Sequence, residues 1–270
     1  LGFTFMGIAV KYLPRIPTYE KVFFRNSVSL MLSAFILFKE KESIKVEKAN
    51  IPFVFGRSFF GFVGMVANFY ALEHLTMAEA NMLNKLSPVF VTICACIFLK
   101  ERVDKKQVIG IILMLLAVVF VIKPSFSPEV IPSLAGLFSA VLAGFSYTII
   151  RYLNGKVKSE INVLYFSLLS VVCTFPLMMM NFVKPTLSEF FILLGGIGIS
   201  AAIGQFGLTY AYTFAPASEV SIYNYVIIIT SMLMDYILFS TIPDLFSFIG
   251  GFIIISTAIY LYIHNKKKDN

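Results

Sequence analysis

Between Gln107 and Lys123 the chain reads VIGIILMLLAVVFVI, an unbroken apolar run at residues 108–122. A membrane-spanning helix needs about 20 predominantly apolar residues, with a range of about 17–25, so the segment 106–123 is long enough to cross a bilayer. Similar runs recur along the chain of 270 residues, of which 58% are hydrophobic and only 14% are charged. Soluble domains carry about 25% charged residues. The composition therefore predicts a polytopic membrane protein and excludes a nucleic-acid-binding interpretation of the net charge of +7.

Ten apolar segments are predicted to be transmembrane helices. They are 1–13, 18–38, 51–72, 77–99, 106–123, 132–153, 161–181, 188–212, 217–239 and 244–263. Prolines fall at or between most of their ends, whereas Pro88 and Pro176 lie inside spans and are expected to kink them. The first segment is shorter than a full span, so we expect the natural N-terminus to lie further upstream.

The basic residues in the loops predict the orientation of the chain. Loops 39–50, 100–106 and 151–160 and the C-terminal tail together carry fourteen Lys and Arg residues, against five on the opposite side. Cytoplasmic loops carry the excess of Lys and Arg. We therefore predict a multi-pass protein of the plasma membrane with both termini in the cytoplasm.

The two halves of the sequence are weakly similar. A shift of 140 positions superposes the predicted helices without a gap from residue 56 to the end of the fifth span. Identities occur at Gly56/Gly196, Gly64/Gly204, Tyr70/Tyr210, Ala71/Ala211, Glu79/Glu219, Asn84/Asn224, Ile97/Ile237, Asp104/Asp244, Ile109/Ile249 and Gly110/Gly250. An odd number of spans per half places the halves in opposite orientations. The predicted fold class is therefore all-α, with two inverted five-helix repeats at 1–126 and 131–265 and a cytoplasmic tail at 266–270. Inverted repeats are common in secondary transporters, whose substrate site lies near the midplane.

Three basic residues lie several residues inside a predicted span, namely Arg25, Arg57 and Lys85. A charge at mid-bilayer costs about 2.5–3.5 kcal/mol on insertion scales. Lys85 is the deepest, and it shares a helical face with Asn81, Asn84 and Pro88. The three cations are predicted either to bind an anionic solute or to pair inside the protein, with helix carbonyls or with an acid such as Glu20 or Glu79. The residues proposed to bind substrate are Lys85, Asn81, Asn84, Arg57, Arg25, Gln205, Tyr223 and Tyr147.

Other kinds of site have no support in the sequence. Cys94, Cys96 and Cys173 lie inside apolar runs, where packing explains them better than a disulfide or a zinc site. Phosphate-binding loops, nucleophile elbows and paired carboxylates are absent from the sequence. We expect neither an enzyme nor a resident cofactor or metal. Glu79 and Glu219 fit the starts of their helices, where a carboxylate caps free N–H groups.

Several stretches resemble the EamA-like branch of the drug/metabolite transporter superfamily. They are Phe69-Tyr-Ala-Leu-Glu-His-Leu-Thr-Met-Ala-Glu-Ala80, Leu86-Ser-Pro-Val-Phe90, Leu99-Lys-Glu-Arg102, Phe24-Arg25, Gly110, Tyr210-Ala211 and Ala217-Ser-Glu219. The resemblance implies a ten-helix carrier with two inverted repeats around a central cavity. The second half departs from the pattern, because Thr241 stands where Glu101 stands in the first half and Ile228 where Pro88 stands.

The sequence predicts a secondary transporter that moves a small polar metabolite, anionic or zwitterionic, across the plasma membrane by alternating access. The alternative within transport is an exporter of amphiphilic drugs or cations, with Phe- and Met-rich walls and structural basic residues. A sensor or a lipid scramblase is a third hypothesis, although Asn81, Asn84 and Lys85 favour an enclosed site. The expected partners are a small-molecule substrate and the lipid bilayer, without nucleic acid, and a homodimer is compatible with the sequence.

Overall fold

A computed structural model describes residues 1–98, 100, 104–123, 130–214 and 217–269, with the side chains of 212–222, 224 and 265–269 outside the description. These residues form helices and no strands, which confirms the all-helical prediction. The helices are α1 (Gly2–Lys11), α2 (Thr18–Lys39), α3 (Ile51–His74), α4 (Met77–Asn84), α5 (Ser87–Phe98), α6 (Lys105–Ile122), α7 (Ile131–Leu153), α8 (Ser159–Met180), α9 (Leu187–Phe191), α10 (Ser200–Phe214), α11 (Ala217–Phe239) and α12 (Leu245–Asp269).

Within the described part of the chain, eight helical stretches are long and apolar enough to cross a membrane. Two further apolar stretches are shorter, namely α1 and Tyr225–Phe239, the part of α11 whose side chains are described without a gap. Large apolar side chains such as Phe35, Phe38 and Phe252 are exposed on the outside of the bundle, where a bilayer would cover them. The chain is therefore a multi-pass membrane protein.

Short polar motifs start several of the helices. Thr76 Oγ1 accepts a hydrogen bond from Glu79 N at 3.1 Å, and Thr76 N donates to Glu79 Oε2 at 3.3 Å. This capping box satisfies N–H groups that have no partner inside the helix, and it confirms the role predicted for Glu79. The same motif starts α6 and α9, with the pairs Asp104 and Gln107, and Thr186 and Glu189. Glu219 lies outside the described side chains.

Pro88 divides the fourth predicted span into α4 and α5. Because proline has no N–H, it cannot bond to the carbonyl four residues earlier, which belongs to Asn84. The chain turns at Lys85 and Leu86, and Leu86 N reaches back only to Leu83 O, at 3.2 Å. Asn84 and Lys85 therefore stand at a break in the middle of a span. Pro176, by contrast, does not interrupt α8.

The eighth predicted span is also irregular. It begins as α9, continues as a π-helix over Ile192–Ile199 and ends as α10. The π-helical segment contains Gly195, Gly196 and Gly198, and Ser200 Oγ donates to the carbonyl of Gly195, five residues earlier, at 3.4 Å. Nothing in the apolar pattern distinguishes this stretch from an ordinary α-helix, and the sequence did not predict it.

Polar contacts join helix termini at one end of the bundle, which we call the Asp235 end. Asp235, near the end of α11, accepts a hydrogen bond from Ala78 N at the start of α4, at 2.8 Å. Lys21, at the start of α2, pairs with Glu73 at the end of α3, also at 2.8 Å. Lys123, which follows α6, pairs with Glu79 at 3.1 Å and with Asp244 at 2.7 Å.

A second group of contacts lies at the opposite end, which we call the Glu42 end. Lys158, which precedes α8, pairs with Glu42 after α2, at 2.6 Å. Tyr210, near the end of α10, donates from its hydroxyl to Glu160 Oε1 at the start of α8, at 2.7 Å. His264, late in α12, lies 2.8 Å from Asp104 at the start of α6. The two groups of contacts thus assign each of these helix termini to one end of the bundle.

Replacing Asp235 should test the contact that holds α4 in place. Asp235 is fully buried, and Asp235→Ala leaves the Ala78 N–H without an acceptor, which should lower the free energy of unfolding by about 1–3 kcal/mol. Asp235→Asn keeps an acceptor oxygen and should lose less. The measurement is the melting temperature of the detergent-purified protein, and equal melting of Asp235→Ala and the parent would contradict the assignment.

Candidate substrate-binding site

A cavity lies between the helices. Helices α1–α4, α7, α8, α10 and α11 contribute to its wall. The described residues that line it are Phe3, Met6, Arg25, Arg57, Gly61, Gly64, Met65, Asn68, Phe69, Asn81, Asn84, Lys85, Ser139, Ala143, Ser146, Tyr147, Phe166, Gln205 and Ile227. Both a polar and an apolar surface are therefore available to a solute.

Arg57 of α3 is held against an aromatic ring instead of an acid. Its guanidinium carbon lies 4.3 Å from the centre of the Phe166 ring, within the range of a cation–π contact. Gly61 makes room for this pair, because a Cβ there would lie 3.1 Å from the ring and 3.2 Å from Arg57 Nη1. Ser146 of α7 donates to the Arg57 carbonyl at 3.1 Å, which ties the backbone of α3 to α7 at this point.

Arg25 of α2 approaches the same ring, with 5.6 Å between its guanidinium carbon and the centre of Phe166. Its Nη1 donates to Asn26 Oδ1 at 2.7 Å, and its Nη2 donates to Gln205 Oε1 at 3.1 Å. Both acceptors are neutral amides. They satisfy hydrogen bonds of the guanidinium without cancelling its charge. Tyr147 lies close enough to both arginines to interact with them electrostatically.

Lys85 stands at the break between α4 and α5. Its side chain is almost completely buried, with 8% of the residue exposed. Its ammonium lies 5.7 Å from the centre of the Phe3 ring. The break puts Lys85 after the last turn of α4, where the partial negative charge of the helix end favours a cation.

Asn81 and Asn84 precede Lys85 on the same wall of the cavity. Asn81 Nδ2 donates to Met77 O at 2.8 Å and to Ser231 Oγ at 2.9 Å. Asn84 Nδ2 donates to Ser139 Oγ at 3.0 Å. These bonds fix the amide groups and connect α4 to α11 and α7.

The three cavity cations have no acidic partner among the described residues. The acids that the sequence offered as partners are used elsewhere, since Glu79 pairs with Lys123 and Glu20 accepts a hydrogen bond from Val183 N. Arg57 Nε and Nη1 are buried without a hydrogen-bond partner, and so is Arg25 Nε. Burial of charge without an acid is costly, which favours a role in binding an anion that enters the cavity.

The structure brings together most of the residues proposed to bind substrate. Seven of them line this cavity, namely Lys85, Asn81, Asn84, Arg57, Arg25, Gln205 and Tyr147. Tyr223 does not line it and is 73% exposed. Ile227 of α11 lines the cavity. Tyr223 lies one turn closer to the start of the same helix, outside the cavity wall. The part of the other seven in binding remains a prediction.

Several lining residues were not predicted, and Asn68 is the most informative of them. It follows Arg57, Gly61 and Gly64 at the spacing i, i+4, i+7, i+11, which places all four on one face of α3. That pattern is readable in the sequence. Phe3, Ser139, Ser146 and Phe166 have no comparable signal, because Ser and Phe are common throughout the chain.

A polytopic all-helical protein with a polar, cation-lined cavity between its helices has the architecture of a membrane transporter for a small solute. The chain belongs to the EamA-like transporter family, whose profile matches residues 1–123. The matched part contains Arg25, Arg57 and Lys85.

Relatives with assigned activities support membership in this family. The chain is 30% identical to the pseudopaline exporter CntI of Pseudomonas aeruginosa, over 91% of this chain and 86% of that protein. It is 26% identical to the S-adenosylmethionine uptake transporter of Rickettsia conorii, over 96% of this chain and 88% of that protein. A solved crystal structure shares the fold, with a TM-score of 0.67, 18% identity and coverage of 95% and 94% of the two chains.

The substitution Arg57→Met should stabilise the protein when no substrate is bound. Arg57→Met removes a buried charge with unpaired N–H groups, so the melting temperature of the detergent-purified protein should rise. Lys21→Met is the matched control, because Lys21 is equally buried but paired with Glu73. Breaking a buried pair costs about 3–5 kcal/mol, so this variant should melt at a lower temperature. A fall of similar size in both variants would contradict the proposed absence of an internal partner for Arg57.

Proposed function

We propose that the protein is a secondary carrier that moves a small polar metabolite bearing an anionic group across the plasma membrane by alternating access. The observation that carries the proposal is the cavity wall, which presents three buried cations and no carboxylate among its described residues. A cation at membrane depth is normally paired or functional. An anionic substrate would supply the missing partner.

Alternating access between inverted repeats is part of this proposal, and the packing of the helices supports it. In the predicted repeat α1 corresponds to α7, α2 to α8, α3 to the π-helix with α10, and α4 with α5 to α11. When corresponding helices are exchanged, the main contacts between helices map onto one another. The contact of α3 with α7 corresponds to that of the π-helix with α1, and the contact of α5 with α7 corresponds to that of α11 with α1. The pairs α2 with α8, α4 with α11 and α6 with α12 map onto themselves.

Close contacts at glycines repeat with the same symmetry. A Cβ at Gly110 would lie 2.7 Å from Leu261 Cδ1, and a Cβ at Gly250 would lie 2.6 Å from Val121 Cγ2. Gly110 and Gly250 are 140 positions apart in the sequence, and so are Val121 and Leu261. The glycines and their partners thus form two equivalent contacts between α6 and α12, as a two-fold relation between the halves requires.

The termini of the helices support ten crossings. The contacts of the Asp235 end bring together the ends of α1, α3, α6 and α11 and the starts of α2, α4 and α12. This alternation is the one expected if each predicted span crosses the bundle. We assign the Glu42 end to the cytoplasm, because the loops that carry the excess of Lys and Arg lie there.

The Asp235 end offers a gate for this carrier. Lys11 of α1 lies 3.8 Å from Asp235 of α11, and Arg15 pairs with Glu189 of α9 at 2.5 Å. Both pairs connect the first half of the chain to the second. For the cavity to open at this end, the halves must separate here and these pairs must break.

Ligand-induced stabilisation tests the proposal. A ligand at about 100 times its dissociation constant adds about 2.7 kcal/mol to stability. The melting temperature of the detergent-purified protein should rise with carboxylates such as succinate and should not rise with tetraphenylphosphonium, a bulky apolar cation.

The variant Lys85→Ala should lose this rise, whereas Lys158→Ala, which changes an exposed cation at the Glu42 end, should keep it. A rise with tetraphenylphosphonium alone, unchanged in Lys85→Ala, would overturn the proposal. That result would favour an exporter of amphiphilic cations that bind to Phe3, Met6, Met65 and Phe166.

The orientation has a separate test in intact cells. In a background with Cys94, Cys96 and Cys173 replaced by Ser, a cysteine at Lys184 should react with a membrane-impermeant maleimide added outside. A cysteine at Ser43, which is exposed at the Glu42 end, should react only after the membrane is permeabilised. The reverse pattern would show that the assignment is inverted.

A further inference from the structure

Some residues that line the cavity have buried polar atoms without a hydrogen-bond partner, and these atoms indicate which groups the substrate carries besides a negative charge. Four such atoms belong to lining residues, namely Arg25 Nε, Arg57 Nε and Nη1, and Asn68 Oδ1. The three nitrogens are donors, whereas the amide oxygen of Asn68 is an acceptor. A buried polar atom without a partner destabilises the protein. A ligand that pairs with all four atoms therefore needs acidic groups and, in addition, a hydrogen-bond donor.

The cations occupy two separate positions in the wall. Arg25 and Arg57 share the ring of Phe166 and are near enough to repel each other. Lys85 lies by a different ring, that of Phe3. The arginine position and the lysine position are thus separate points of the wall, each of which offers a partner to an acidic group.

The balance of charge leads to the same conclusion. With Arg25, Arg57 and Lys85 charged, a monoanion would leave two positive charges uncompensated in a low-dielectric cavity. A dianion would leave one, and the neutral acceptors Asn26 and Gln205 already solvate Arg25. The cavity therefore favours ligands with at least two negative charges.

We infer that the substrate carries two acidic groups held apart, one for the arginine position and one for Lys85, together with a hydroxyl group that donates to Asn68 Oδ1. This inference rests on the proposed function, since it describes the substrate of the same cavity. The chemical class is that of hydroxydicarboxylates and of molecules that contain such a unit.

A matched series of small acids tests the number of acidic groups. Dissociation constants would be measured for the detergent-purified full chain by the shift of the melting temperature, at constant ionic strength, with sulfate as the control for an adventitious ion only. Butyrate and succinate have four carbons each and carry one and two carboxylates, and the pairs hexanoate with adipate and octanoate with suberate extend the spacing. At the best spacing the dicarboxylate should bind at least 10-fold more tightly than its monocarboxylate. Lys85→Ala should remove that difference.

Malate and aspartate test the donor. Malate adds a hydroxyl to succinate and should bind about 5-fold or more tightly than succinate, whereas aspartate adds an ammonium group whose positive charge should prevent such a gain in this cationic cavity. Asn68→Ala, which leaves no acceptor, should abolish this preference. A gain for aspartate without a gain for malate would contradict the hydroxyl assignment. Lys158→Ala is the control in both series and should bind every acid as the parent does.

The results separate the two levels of the proposal. If monocarboxylates bind as tightly as dicarboxylates at every spacing, and their binding is lost in Arg57→Ala, the site binds anions but the two-anion inference is wrong. If sulfate stabilises the protein as well as the dicarboxylates do, the cations hold an adventitious ion only and the inference is also wrong. If no carboxylate stabilises the protein in a way that depends on Arg57 or Lys85, the proposed function fails with it.

Discussion

Positive charge buried without an acid is the constraint on which the rest of this structure depends. Arg25, Arg57 and Lys85 lie inside a membrane bundle, where each needs compensation. The protein stabilises them with aromatic rings, amide oxygens and the end of a broken helix instead of carboxylates. Those groups lower the cost of burial and leave the charge itself available. The acids of the described chain lie mainly at the two ends of the bundle, where they cap helices and join termini. This separation keeps the cavity cationic while the ends of the bundle are held by ion pairs.

The break at Pro88 connects the backbone to this arrangement. In a continuous helix through Asn84 and Lys85, the carbonyl groups of that turn would accept hydrogen bonds from the next turn. The side chains would also have a different orientation. The interrupted helix places Lys85 directly after the last turn of α4. α4 is anchored at its start by Asp235 and along its length by the amides of Asn81 and Asn84. A displacement of α4 at the Asp235 end would therefore be transmitted to the lysine.

Much of the fold could be predicted from the sequence, because lipid and helix geometry act on local patterns. Apolar runs located the helices to within a few residues, and the polar face of Asn81, Asn84 and Lys85 located one wall of the cavity. The π-helix at Ile192–Ile199 could not be predicted, since its apolar residues suit either helix type. Asn68 was missed although its spacing from Arg57 was readable. The rings of Phe3 and Phe166 became recognisable only when the packing of α1 and α8 was known, because aromatic residues occur along the whole chain. Tyr223 was chosen by residue type, and its turn of α11 lies beyond the cavity.

The absence of a carboxylate from the described wall of the cavity also bears on the energetics of a transport cycle. If the substrate is an anion and no cation accompanies it, each negative charge that crosses works with or against the membrane potential, by about 2.3 kcal/mol per 100 mV. In a cell whose interior is negative, that voltage drives anions outward and opposes their uptake. A carrier with this cavity would then need no ion gradient to empty the cytoplasm of its substrate, and would need one to fill it.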